Sequence, residues 1–228
     1  MCGRFTLTNP NPRRLAARFE IDGSFEIDDR PRFNIAPTDP VIAIRRCEEA
    51  AGNEAGILRW GLVPGAWAER RGRRPLINAR AETVATQPAF KESFERRRCL
   101  IPADGFYEWR KDPGGKRPVW FSLSGGELFA FAGIWARLER TGAEPLVSCA
   151  LITCPPNATV VPVHDRMPVV LDRAVEAAWL DPEAELADLI GLLRPAPDDA
   201  LRTRDVGDAV NNSRADGPDL LEPPLQIF

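Results

Sequence analysis

Between residues 99 and 154 the chain is a succession of short aromatic and β-branched stretches: CLIPA, GFYEW, PVWFSL, LFAFAGIW and SCALITC. Gly and Pro turns separate them, a pattern that predicts a mostly antiparallel sheet or distorted barrel. Upstream, VIAIR (41–45) and ILRWGL (57–62) read as further strands. Helical spacing of Leu15, Ala16 and Phe19 after a proline predicts a helix over 11–20, and Phe90 and Phe94 suggest another over 89–97. RAVEAAWL (173–180) and EAELADLIGLL (183–193) complete the helices. The polar, basic stretch 66–75 reads as a loop, and the Pro-rich tail from 195 as irregular. The expected class is α+β: a mostly antiparallel, barrel-like β-sheet core flanked by helices, in one domain spanning 1–228.

A chain of 228 residues buries roughly 70% of its unfolded surface, so its core needs neither disulfides nor metal. Cys2, Cys47, Cys99, Cys149 and Cys154 form an odd set without CxxC spacing, which predicts free thiols in a reducing compartment. The N-terminus has no charged segment followed by an apolar one, and no apolar run is long enough to span a bilayer. The expectation is a cytoplasmic protein. Net charge is −3, which argues against a bulk electrostatic DNA-coating role. Of 30 basic residues only Lys91, Lys111 and Lys116 are lysines; arginine suits bidentate phosphate contacts, but a GC-rich genome produces the same bias.

Individual residues carry chemistry of their own. Removal of Met1 would leave Cys2 as a 1,2-aminothiol, with an amine pKa near ~7.7–8.0 and a thiol near ~8.5 before perturbation. Such a pair condenses with an aldehyde, first to an imine and then to a five-membered thiazolidine; the plain alternative is an incidental terminal cysteine. His164, the single histidine, sits beside Asp165 and could shuttle protons, or could be a structural turn residue. A lone histidine argues against a zinc site. Glu108, among Phe106, Tyr107 and Trp109, would titrate high if buried. Alternation puts Phe106 and Glu108 on one face, and pattern alone slightly favours the solvent face of an edge strand. Asn78 and Arg80 could grip a substrate, and Trp67 could stack on bases, or the three could be a turn asparagine, a surface salt bridge and a core aromatic.

Taken as an ordered set, MCGRF at the N-terminus, NIAPT (34–38), WGLVP (60–64), INARAET (77–83), RRCLIPADGFYEW (97–109), FAGIW (131–135), HDRMPVVL (164–171) and VNNSRADGPDLLEP (210–223) resemble the SRAP family of SOS-response-associated peptidases, regarded as abasic-site processing proteins. The resemblance runs over nearly the whole chain. It implies that Cys2, freed of Met1, forms a thiazolidine with the ring-opened sugar of an abasic site in single-stranded DNA. Asn78 would position the linkage, Glu108 would act as acid and base, and His164 would aid sugar opening. Arg4 and Arg80 would grip phosphates and Trp67 would wedge against bases, with non-specific contact from the Arg70–Arg74 region. Ser213 and Ala215 depart from the proline and asparagine frequent in relatives. The resemblance implies a monomer acting on abasic single-stranded DNA, with no metal, organic cofactor or membrane, and with weak lyase activity. A self-processing cysteine peptidase and a non-covalent single-stranded DNA-binding module are the alternatives.

Overall fold

A computed structural model of the chain describes residues 2–22, 25, 27–47, 52–65 and 74–224. Its elements run in the order β1 (Arg4–Leu7), α1 (Pro12–Phe19), β2 (Arg32–Ile35), β3 (Pro40–Arg46) and β4 (Asn53–Trp60). There follow β5 (Asn78–Arg80), α2 (Lys91–Arg96), β6 (Arg98–Ala103), β7 (Gly105–Asp112), β8 (Gly115–Leu123), β9 (Phe129–Arg140) and β10 (Ala143–Cys154). The last are β11 (Met167–Pro168), β12 (Val170–Leu171), α3 (Arg173–Leu180), α4 (Leu186–Leu192) and β13 (Leu201–Asp205). No helix among the described residues is long and apolar enough to cross a membrane.

Five strands close on themselves in the cyclic order β10, β4, β3, β6, β9. Every contact in this barrel is antiparallel except β10 against β4, and β5 adds a second parallel contact on β10. A second, wholly antiparallel sheet runs β13-β8-β7-β1-β2. One contiguous apolar core draws on both sheets. Phe5 of β1 meets Trp60 of β4 at 5.2 Å and Phe131 of β9 at 5.6 Å, edge to face, and Phe106 stacks on Phe121 at 4.9 Å. Two arginines tie α1, α2 and α3 together, the buried Arg98 and the partly buried Arg18. Arg98 on β6 donates to the carbonyls of Phe94, Glu95, Trp179 and Asp181, satisfying the C-terminal ends of α2 and α3. Arg18 of α1 grips Glu176 of α3 through both guanidinium nitrogens, at 2.6 and 2.7 Å.

Most expected elements appear, with informative displacements. The strand expected over 57–62 runs instead from Asn53 to Trp60. It stops there because Gly61 takes φ +135° and any Cβ would lie 2.7 Å from Pro75 Cβ. The helix expected over 183–193 is confined to Leu186–Leu192. The tail is not irregular throughout: Leu201–Asp205 forms β13, with five register pairs on β8, followed by 3-10 turns at Asp208–Asn211 and Pro218–Leu221. Only Leu201 of that strand is buried, so it carries little apolar alternation to read.

Candidate active site

Register brings the N-terminus to Glu108. Strand β1 pairs antiparallel with β7, Arg4 opposite Tyr107 and Phe5 opposite Phe106, so the chain just before Arg4 runs alongside Glu108. From the other side, Leu151, Ile152 and Thr153 of β10 hold Asn78, Ala79 and Arg80 in parallel register. The end of β10 also pairs with Met167–Pro168, which anchors the turn bearing His164. Four residues far apart in sequence thus meet where the two sheets abut.

Cys2 is wholly buried. Burial, and secondarily the nearby Glu108 charge, push its thiol far above the ordinary cysteine range, so it is held protonated. Its Sγ makes a long contact to the Arg4 carbonyl, 3.7 Å. Asn78 Nδ2 donates to the Cys2 carbonyl at 2.8 Å. The other half of that amide, Oδ1, is buried and has no hydrogen-bond partner among the described residues, leaving an acceptor beside Cys2.

Glu108 lies on an interior strand and is 2% exposed, which corrects the edge-strand reading favoured by pattern alone. The alternation itself holds. Phe106 packs into the main core, whereas Tyr107 packs with Val206 and Val210 in a smaller cluster that Trp109 borders. Desolvation raises the Glu108 carboxyl to about 7. Its Oε2 is 3.7 Å from His164 Nε2, longer than a hydrogen bond but close enough to tighten with substrate bound.

His164 shows competing signs at Nδ1. The backbone N–H of Arg166 donates to it at 3.0 Å, while Asp165 Oδ1, which would require a proton there, also lies at 3.0 Å. Asp165 is highly exposed and solvated, whereas the Arg166 amide is fixed by the backbone. Burial first of all lowers the His164 pKa, so the neutral ring with its proton on Nε2, facing Glu108, is the form that fits. Arg166 fixes the turn: its guanidinium donates to the Thr153 carbonyl at 2.5 Å and forms a two-pronged ion pair with Glu82.

Arg4 is half-buried. Its Nη1 reaches the Val210 carbonyl at 3.4 Å, and its guanidinium lies over the Trp109 ring at 5.9 Å, so part of its capacity serves the fold. Arg80 is exposed, two residues along β5 from Asn78 and therefore on the same face. Trp67 and the loop at 70–73 lie outside the described residues. The residue reading did not anticipate the C-terminal segment. Asn34 Nδ2 donates to the carbonyls of Asn212 and Ala215, at 3.0 and 2.9 Å, and Trp109 Nε1 donates to Asn211 Oδ1 at 2.7 Å. Ala215 thus contributes through its backbone, which any residue supplies. A remote cavity of about 790 Å³ beside α1 and α4 holds none of the candidate residues; the larger one, of about 1300 Å³, is lined by Glu108 and His164.

The family model described as SOS response associated peptidase (SRAP) matches residues 1–213. The abasic site processing protein YoqW of Bacillus subtilis (strain 168) is 38% identical over 227 residues, covering 97% of this chain and 99% of that protein. The abasic site processing protein YedK of Escherichia coli (strain K12) is 30% identical over 228 residues, covering 98% and 100%. A solved structure of a Bacteroides thetaiotaomicron protein superposes with a TM-score of 0.84 at 22% identity, over 98% of this chain and all of that one, and speaks for the fold alone.

Proposed function

The chain belongs to the SRAP family, and from that membership together with the site geometry we propose that it captures abasic sites in single-stranded DNA as a covalent thiazolidine on Cys2. The observation that supports this most is a buried carboxyl, Glu108, raised to about 7 and electrically coupled to the Cys2 thiol, with a neutral histidine 3.7 Å away. A group titrating there can both give and take a proton at neutral pH.

Removal of Met1 supplies the Cys2 amine. That amine adds to the aldehyde carbon of the ring-opened sugar, whose opening the His164 Nε2–H assists by donating to the ring oxygen. Protonated Glu108 gives its proton to the resulting carbinolamine hydroxyl, which leaves as water and yields the protonated imine. The Glu108 carboxylate so formed takes the proton of the Cys2 thiol, sulfur closes on the carbon of the protonated imine, and nitrogen, which has kept its hydrogen, takes back the electron pair. The net change is amine plus thiol plus aldehyde giving thiazolidine plus water, with Glu108 restored. A thiol kept protonated until that moment does not compete with the amine for the aldehyde. The imine also permits β-elimination, which accounts for an associated lyase activity. Arg4, Arg80 and Trp67 are the proposed DNA contacts.

A denaturing gel tests the reading. Protein lacking Met1, mixed with an abasic single-stranded oligonucleotide, should give a band that survives heat and detergent; complexes that always dissociate would leave only reversible DNA binding. Asn78→Ala should slow this adduct by roughly ten- to hundredfold, the rate equivalent of leaving a buried carbonyl unpaired at about 1–3 kcal/mol. Single-turnover kinetics check it, and a wild-type rate would remove Asn78 from the site.

A further inference from the structure

The cleft beside Glu108 and His164, about 1300 Å³, is larger than an ordinary small-molecule site of roughly 300–1,000 Å³, and a sugar without a base fills little of it. Its lining includes Lys111 and Lys116, two of the three lysines in the chain. These are direct cross-strand partners on the β7–β8 hairpin, an arrangement in which like charges repel and destabilise the sheet. The neighbouring pair, Arg110 opposite Arg117, is treated differently. Asp112 bonds to both arginines and Asp205 to Arg110, so the repulsion is neutralised. Among the described residues no carboxylate forms a salt bridge with either lysine. The acidic groups on the cleft are Glu108 and the highly exposed Asp165. The charge of Lys116 is felt by both Glu108 and His164, which places it within electrostatic reach of the chemistry. Val161, 60% exposed, adds an apolar surface to the same cleft.

We propose that Lys111 and Lys116 form a phosphate subsite for the nucleotide flanking the lesion, whose base rests against Val161. The proposal rests on the abasic-DNA reading above. The repulsion between two lysines at opposed strand positions is relieved by the shared negative charge of a phosphodiester. Held there, the flanking nucleotide fixes the neighbouring abasic sugar against Glu108 and His164, converting diffusion of the aldehyde into positioned attack.

The test uses the full chain with both lysines replaced, Lys111→Gln with Lys116→Gln. Binding of an undamaged single-stranded oligonucleotide should weaken roughly ten- to thirtyfold at ~0.1 M salt. The slope of log K against log salt should flatten by about 1.4, two contacts at roughly 0.7 each. Abasic oligonucleotides truncated on one side or the other then locate the subsite: removing one particular flank should slow crosslinking by wild type but not by the double variant. Lys116→Glu, which creates an opposite-charge pair, should leave the melting temperature unchanged or raised while lowering DNA affinity. An unchanged salt slope with the same flank dependence as wild type overturns the subsite, as does an affinity loss that tracks a fall in melting temperature. If wild type forms no adduct but the double variant still loses affinity and slope, the covalent reading fails and the phosphate subsite stands.

Discussion

A chain that keeps Met1 is expected to fold, to bind single-stranded DNA, and to form no heat-stable adduct with an abasic oligonucleotide. In that chain the Cys2 nitrogen is an amide, whose lone pair is delocalised into the carbonyl and does not attack aldehydes. The Cys2 side chain offers no substitute, since it is fully buried and held as the neutral thiol. Loss of the adduct should therefore be complete rather than partial. Cys2→Ser, processed to a free N-terminal serine, separates the two halves of the reaction. Its amine still gives an imine that borohydride traps, but its hydroxyl closes a much less stable ring, so the untreated adduct fails to survive heating. Intact mass measured on each form after exposure to abasic DNA distinguishes these outcomes. A heat-stable adduct on a chain shown by mass to retain Met1 would sink the aminothiol mechanism.

Why some of this was legible in the sequence and some was not follows from the range of the signals. Strands β6 to β10 announce themselves through local runs of aromatic and β-branched residues, and helix α3 through spacing within eight residues. Phe106 and Glu108 could be put on one face because alternation is a local property of a strand. Whether that face meets solvent or core depends on β1 and β8 flanking β7, pairings that no local pattern encodes. Barrel closure through a parallel β10–β4 contact is likewise non-local. The same limit hid the latch from Asn34 to the segment near residue 212, which joins residues 178 positions apart, and the opposition of Lys111 to Lys116, which needs a register. The catalytic candidates stand out through their own side-chain chemistry and through family motifs, not through patterning. Their convergence is a property of two sheets meeting, and single residues such as Asn78 carry no mark of it.

Glu108→Gln should raise stability and depress chemistry in one substitution. The wild-type carboxyl titrates at about 7 when folded against an ordinary 4.5, because burial disfavours its charged form. A folded pKa above the unfolded one means that the unfolded state ionises first. The stability associated with protonated Glu108 is therefore fully present below pH 4.5 and is lost as pH rises to about 7. Glutamine has no charge to desolvate, so the variant should be equal to wild type near pH 4 and more stable at pH 8, by up to ~3 kcal/mol at ~1.36 kcal/mol per pKa unit. Denaturant unfolding at the two pH values reads this difference. Adduct formation should fall by roughly 10²–10⁴, the usual worth of a positioned acid–base group. The wild-type rate should pass through a maximum between the Glu108 ionisation near 7 and the Cys2 amine near ~7.7–8.0, since the acid form of one and the base form of the other are both required. The Gln variant should lose the Glu108 limb and keep the amine limb. Crosslinking by Glu108→Gln at the wild-type rate, with a pH profile unchanged from pH 5 to 9, would show that another group carries the proton.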